Sequence, residues 1–279
     1  MQLIRSVSEM HRWSYSEKSS GNRVGFVPTM GALHEGHEKL FSQSVSENRR
    51  TVVSIFVNPL QFNSVSDLEA YPRQLEQDQA IAAQQKIDVL FAPSHEEMYP
   101  NDFASSISAG PIAQNMEGLH RPGHFDGVAT VVVKLLNAVT PDVAYFGLKD
   151  FQQLAVIRSV VRDLNIKCEL RGVPTVRNEM GLALSSRNSR LSPDLLEQAS
   201  IIYSLLNEMA NQARSSVTPT LTLQKHFKDG MRQVSAAKVE YVEVVDSDSL
   251  LPVTTAQKGR TICVAVWFDD VRLIDNISI

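Results

Sequence analysis

Phe26-Val-Pro-Thr-Met-Gly-Ala-Leu-His-Glu-Gly-His37 is the stretch whose reading decides the fold. Val24, Phe26 and Val27 are placed as a short buried strand. Pro28 has no N–H for a sheet ladder and is expected to stop it. Gly31 and Gly36 then allow a tight turn and close approach of a ligand to the backbone. Leu40, Phe41 and Val45 follow at helical spacing. His34 and His37, three apart, share one face where that helix begins. A helix N-terminus presents free N–H groups and the positive end of a dipole, which suits phosphate. Two imidazoles there can donate hydrogen bonds to an α-phosphate as charge builds on it. His-x-x-His by itself is as much at home on an exposed helix; its place after a strand and a glycine turn favours the phosphate.

Working outward, Val7 to Ser19 reads as a surface helix with Met10 and Trp13 at a helical interval. Thr51 to Val57 is almost continuously apolar and β-branched, the pattern of a strand buried on both faces. Asn58-Pro59 ends it. Ligands of open α/β sheets gather beyond the carboxyl ends of strands, so Asn58, Gln61 and Phe62 fall where a substrate would lie. Ser66-Asp-Leu-Glu69 has the form of a capping box, and a polar helix interrupted at Pro72 resumes to Lys86. Ile87 to Ala92 is the next strand, and Phe103 to Ala109 is a weaker candidate for an edge strand. Gly118 to Asp126 carries two histidines and an arginine between glycines. It reads either as a plain exposed loop or as a mobile cover over anionic ligands.

Val128, Val131, Val132, Leu135, Leu136 and Val139 mark a strongly amphipathic helix, closed by Thr140-Pro141. Val143 to Phe146 is a strand ending in Gly147-Leu-Lys-Asp150, and the next helix carries Leu154, Ile157, Val161 and Leu164 on one face. Lys149 lies between that glycine and the new helix, where its ammonium can reach a phosphate. Cys168 to Val176 is a further strand. The alternation implies one doubly wound parallel sheet with right-handed crossovers. Gly181-Leu-Ala-Leu-Ser-Ser-Arg-Asn188 breaks the pattern; taken alone it is a helix cap, since Ser192-Pro193 opens another helix. Helices near Gln198 to Ala213 and Leu223 to Ser235 flank a polar stretch, Ser215 to Thr222. Three β-rich runs follow, Val239 to Val245, Thr261 to Phe268 and Val271 to Ile277, the last two joined at Asp269-Asp270 as a hairpin. The chain is therefore expected to divide into residues 1–175 and a smaller α+β domain, 176–279, hinged near residue 175.

The bulk numbers fit this division. The chain has 279 residues, 43% apolar and 21% charged, with a net charge of -4. That length suits two domains, and the charge argues against a general nucleic-acid binder. Cys168 and Cys263 have neither zinc spacing nor a disulfide framework. The N-terminus lacks the apolar core of a signal peptide, and no apolar run approaches the roughly 20 residues of a membrane span. A soluble cytoplasmic protein is expected.

His-x-Gly-His after the first strand is similar to the phosphate signature of the nucleotidyltransferase superfamily, which includes class I aminoacyl-tRNA synthetases. The longer form from Pro28 to His37 resembles the pantothenate synthetase (pantoate–β-alanine ligase) family. Phe56 to Phe62, Arg121 to Val128, Phe146 to Leu154 and Gly181 to Asn188 extend the resemblance in order along nearly the whole chain. It implies a Rossmann-like fold and an enzyme that joins (R)-pantoate to β-alanine. ATP adenylates the pantoate carboxylate with loss of pyrophosphate, and the β-alanine amine then displaces AMP.

Carried over by position, the resemblance puts ATP against Met30, Gly31, Ala32, Leu33, His34, Glu35, Gly36 and His37. It adds Gly147, Leu148, Lys149, Asp150, Val176, Leu184, Ser185, Ser186 and Arg187 to the same nucleotide. Gln61 and Gln153 hold pantoate, Gln61 also meets β-alanine, and His37 is the family's acid. His34, His37, Lys149, Ser185, Ser186 and Arg187 are the donors that meet charge developing on phosphate. Magnesium arrives with ATP, bound mainly through phosphates and water, with Asp78 and Asp150 as loose supports. A homodimer and an inward movement of the small domain on ATP are further implications.

Three positions depart from the family pattern: Met180 and Leu148 stand where acidic residues are usual, and Leu184 replaces a methionine. The first two remove charge beside the nucleotide, whereas the third conserves volume. Two other classes are weighed against this reading. A nucleotidyltransferase acting on a phosphorylated alcohol would carry basic residues in place of Gln61 and Gln153. A non-catalytic nucleotide-binding scaffold would have lost the histidines or Lys149, and both are intact.

Overall fold

The computed structural model describes residues 1–279. Its first part runs β1 (Gln2–Ile4), α1 (Val7–Ser19), β2 (Val24–Thr29), α2 (Glu35–Glu47), β3 (Arg50–Ile55), α3 (Val65–Glu69) and α4 (Leu75–Gln84). It continues through β4 (Val89–Phe91), α5 (His95–Met98), α6 (Glu117–His120), α7 (His124–Val139), β5 (Val143–Gly147), α8 (Phe151–Asp163) and β6 (Glu169–Val173). The six strands form one sheet in the order β1-β4-β3-β2-β5-β6, and every neighbouring pair is parallel. Strand order reverses between β2 and β5, the switch point at which such sheets bind ligands. Those two strands pair only at Gly25 and Phe26, so their carboxyl ends part and leave a crevice.

Pro28 does not stop β2, which runs on to Thr29. Val24 turns its carbonyl toward Asp142 at the start of β5, whereas Thr29 turns its carbonyl toward Phe56 after β3. Even-numbered residues of β2 therefore face β5, and at Pro28 that side is already unpaired. The missing N–H costs nothing there. The amphipathic pattern of α7 holds: Val128, Val131, Val132, Leu135, Leu136 and Val139 are all buried. They pack under the sheet with Phe26, Val52 and Phe91.

Other expectations are corrected. The cap of α3 is Ser64, which accepts from the Asp67 N–H, rather than Ser66. Phe103 to Ala109 forms no strand; the N–H groups of Ile107 and Ala109 donate to Thr130 and Asp126 on α7. Gly118 to Asp126 is not an open loop but the end of α6 and the start of α7, with His124 buried. Strand β1 carries too short an apolar run to be read in advance.

The remainder comprises α9 (Pro193–Ala199), α10 (Ile201–Ser215), β7 (Thr218–Pro219), α11 (Thr220–Met231), β8 (Ala237–Asp246), β9 (Thr255–Ala256), β10 (Arg260–Phe268) and β11 (Val271–Ser278). Strands β8, β10 and β11 make an antiparallel sheet, and the polar stretch supplies β7, which pairs with β9. Val242, Val244, Val264 and Val266 on one face pack against Leu206, Met209 and Phe227. Tyr241, Cys263 and Ala265 on the other face meet Met116 and Phe151 of the first part. Both faces are covered, which is why the alternation of β8 looks imperfect in the sequence.

Candidate active site

His34 is the N-cap of α2, held extended at φ -147°. Its Nδ1 accepts from the Gly36 N–H at 3.1 Å, and its own N–H donates to His37 Nδ1 at 3.3 Å. Each imidazole thereby caps backbone that the helix start would leave unsatisfied. An Nδ1 that accepts must be unprotonated, so in the neutral ring the proton sits on Nε2. Both Nε2–H groups are left without a protein acceptor, on the wall of a cavity of about 230 Å³ at the switch point.

Desolvation first and the Lys149 charge second pull His34 down from 6.5 to about 4. Burial first, then His34 and Lys149, pulls His37 to about 3. The unfolded chain takes up these protons as pH falls below 6.5, whereas the native state refuses them. The two rings therefore leave stability unchanged above pH 7 and erode it between pH 6.5 and their folded values. Each unit of depression corresponds to about 1.4 kcal/mol. Histidine NMR titration should find both rings neutral at pH 5.5; a midpoint near 6.5 for either would refute the assignment.

The loop before α2 is fastened from beneath. Asp78, buried on α4, accepts from the N–H groups of Ala32 at 3.0 Å and Leu33 at 2.8 Å. A Cβ on Gly31, at φ +82°, would lie 2.7 Å from the same carboxylate. Asp78 is thus a loop anchor and not a support for magnesium, which corrects the sequence reading. Asp150 remains on the cavity wall with no side-chain partner. No group of three or more His, Cys, Asp or Glu side chains is arranged to hold a metal.

Gln61 is buried and lines the same cavity as the histidines, gripped at both ends. Its side-chain oxygen accepts from Asn58 at 3.0 Å, and its amide reaches Met30 sulfur at 3.1 Å. Its main-chain carbonyl accepts from His124 Nδ1 at 2.7 Å and from Arg121 at 3.2 Å. Asn58 is itself set by the Tyr99 hydroxyl at 2.8 Å and by the carbonyl of Gly127. At Gly127 a Cβ would fall 2.3 Å from the Leu60 carbonyl, so only glycine lets α7 approach this turn. Gln153 lines the same cavity with its carboxamide free of protein partners.

Lys149, in the turn before α8, lines the cavity likewise unpaired, near enough for its charge to act on both rings. Ser186 donates to the Ala32 carbonyl at 3.2 Å, so the Ser185–Arg187 segment already touches the glycine loop. Arg187 is paired with Asp67 at 3.2 Å. Lys149, Asp150, Gln153, Ser185 and Arg187 are shared with a second cavity of about 550 Å³ between the parallel sheet and the antiparallel one.

Met30, Gly36, Gly147, Val176 and Leu184 also line the smaller cavity; Gly31, Ala32, Leu33, Glu35 and Leu148 do not. Phe62 turns away to pack edge-on against Tyr71. Leu148 instead covers Gly172, and Met180 is exposed away from both cavities. The departures at those two positions therefore leave the cavity walls unaltered. The anchoring parts of Asp78 and His124 are not legible in the sequence, because their partners lie 45 to 63 residues away.

A sequence model of the family described as Pantoate-beta-alanine ligase matches residues 2–278. A pantothenate synthetase from Sulfurihydrogenibium sp. (strain YO3AOP1) is 44% identical over 279 residues, covering all of both chains. One from Bacteroides thetaiotaomicron is 45% identical over 281 residues, covering 100% of this chain and 99% of that one. The crystal structure of pantothenate synthetase from Thermus thermophilus superposes with a TM-score of 0.92 at 42% identity, covering 100% and 99% of the two chains. A Francisella tularensis pantoate–β-alanine ligase, solved with Beta-gamma ATP and Beta-alanine, gives 0.83 at 37% identity, covering 100% and 97%.

Proposed function

This chain belongs to the pantoate–β-alanine ligase family, and from that premise we propose how its residues divide the family's work. The reaction is the ATP-dependent condensation of (R)-pantoate with β-alanine, giving pantothenate, AMP and pyrophosphate through a pantoyl adenylate. A pantoate carboxylate oxygen attacks the α-phosphorus, and the bond to the bridging oxygen breaks as pyrophosphate leaves. The β-alanine amine then attacks the acyl carbon, the bond to AMP breaks, and the amine gives up a proton.

The nucleotide lies along the start of α2, with the α-phosphate within reach of the two Nε2–H donors. Burial keeps both rings neutral in the free protein, and a neutral His37 meets developing charge as a hydrogen-bond donor. Lys149, Ser185, Ser186 and Arg187 take the β- and γ-phosphates, Arg187 exchanging Asp67 for phosphate oxygen. Gln61 and Gln153 orient pantoate; neutral carboxamides do so without drawing charge from the attacking carboxylate. Gln61 also meets β-alanine. Magnesium would be held mainly by the triphosphate, where it would neutralise developing charge, and Asp150, unpaired on the cavity wall, is the carboxylate that would support it.

The domain boundary falls between residues 175 and 176, with nucleotide and pantoate on the first part and the Ser-Ser-Arg-Asn segment on the second. The protein works in the cytoplasm as a homodimer. The observation that carries the assignment is the reciprocal His34–His37 cap, which leaves two fixed donors on a cavity that two glutamines also line. With pantoate and Mg-ATP but no β-alanine, labelled pyrophosphate should exchange into ATP. If exchange appears only when β-alanine is added, a free adenylate stage is ruled out.

A further inference from the structure

We propose that Asn276, on the last strand of the antiparallel sheet, is a positioning residue that sets Lys149 for the phosphate. Its Nδ2 donates to the main-chain carbonyls of Leu148 at 3.0 Å and of Lys149 at 2.9 Å. A carboxamide nitrogen has two hydrogens, so this residue spends its whole donor capacity on one turn. The turn, Leu148–Asp150, leads into α8. The Lys149 ammonium makes no hydrogen bond or ion pair of its own, so its place on the cavity wall depends on where its backbone is held. The contact reaches across 127 residues of sequence, from one sheet to the other.

The neighbouring residue makes the arrangement more than a stray contact. Asp275, 4% exposed, takes Arg177 in a two-pronged pair at 2.6 and 2.9 Å. Arg177 in turn bridges to Ala183, just before the Leu184–Arg187 segment. Two consecutive residues of β11 thus hold the backbone of Lys149 and the root of the segment that carries Arg187. The strand fixes the spacing between two cations meant for one triphosphate. Placement of this kind is worth more in the transition state than in loose binding, since phosphoryl transfer depends on preorganised charge.

The inference rests on reading Lys149 as a phosphate contact, and a double-mutant cycle separates the two. Mg-ATP binding by calorimetry and single-turnover adenylation are measured for Asn276→Ala, Lys149→Ala and the double variant. Asn276→Ala should weaken ATP binding about tenfold and slow adenylation, as expected for two lost hydrogen bonds that place a charged group. In the Lys149→Ala background the same change should alter ATP binding by less than about twofold. Pantoate affinity should stay level. Asn276→Asp, which sets carboxylate oxygens against two carbonyls, should be at least as damaging as alanine. Equal losses with and without Lys149 would show general support of the fold and overturn the assignment. Lys149→Ala with undiminished ATP binding would instead remove the premise and the inference with it. Should Asn276→Ala not fold, Asn276→Ser, which keeps one donor, closes the same cycle.

Discussion

With His37 replaced by alanine, adenylate formation should slow by about 10²–10³ while the Michaelis constant for ATP changes little. The argument starts from the tautomer. Its Nδ1 is occupied by the His34 N–H, and burial keeps the ring neutral. What remains is a single Nε2–H, fixed before substrate arrives, in the crevice proposed for the α-phosphate. A donor of that kind acts on the transition state more than on bound ATP, so its loss falls on turnover. Lys149→Ala should behave differently, raising the ATP constant as well, because an ammonium attracts the ground-state phosphates too. Single-turnover adenylation over a range of ATP concentrations separates the two. A His37→Ala enzyme with a normal single-turnover rate and only a raised ATP constant would make His37 a binding residue. Since His37 also caps His34, His37→Asn provides the control; its short carboxamide can restore the cap without restoring the donor's reach.

The strand–turn–helix at Val24 to Val45 was legible because its signals are local: an apolar run, two glycines and a 3.6-residue period. The same holds for α7 and for the hairpin at Asp269-Asp270. What the sequence could not carry was anything decided by a distant partner. Pro28 is tolerated because β5 has already parted from β2 at that height, a fact of sheet register and not of local pattern. Asp78 looked like a loose carboxylate near a nucleotide; its two acceptor bonds to Ala32 and Leu33 span about half a hundred residues. Gly118 to Asp126 looked like a loop because its glycines and polar residues are loop-forming, yet His124 and Arg121 are drawn in by one carbonyl of Gln61. Local chemistry picked out the groups proposed to meet phosphate; tertiary contacts chose the ones that hold them still.

The largest stability effect outside the crevice is expected at Glu117. It is 6% exposed on α6, and Arg272 of β11 meets it in a two-pronged pair at 2.6 and 2.7 Å. The Tyr241 hydroxyl donates to the same carboxylate at 2.8 Å, and Glu240 completes the surroundings of Arg272. Burial raises the Glu117 carboxyl, but the hydrogen bonds and charge of Arg272 outweigh it and leave it below its ordinary range. Its contribution is therefore full above pH 4.5 and is lost as pH falls below that value. Removing one partner of a buried pair strands the other, at a cost of about 3–5 kcal/mol. Glu117→Ala should come at the lower end, about 3 kcal/mol, because Arg272 keeps Glu240. Glu117→Gln, which still accepts from Arg272 and Tyr241, should lose less. Arg162→Ala, breaking the exposed pair with Asp163, should stay within about 1 kcal/mol of the parent. Urea unfolding at pH 7 measures all three, and repeating it at pH 4 should narrow the gap between Glu117→Ala and the parent. A Glu117→Ala protein within about 1 kcal/mol of the parent at pH 7 would mean that water reaches this pair freely and that it adds little to the joint between the two sheets.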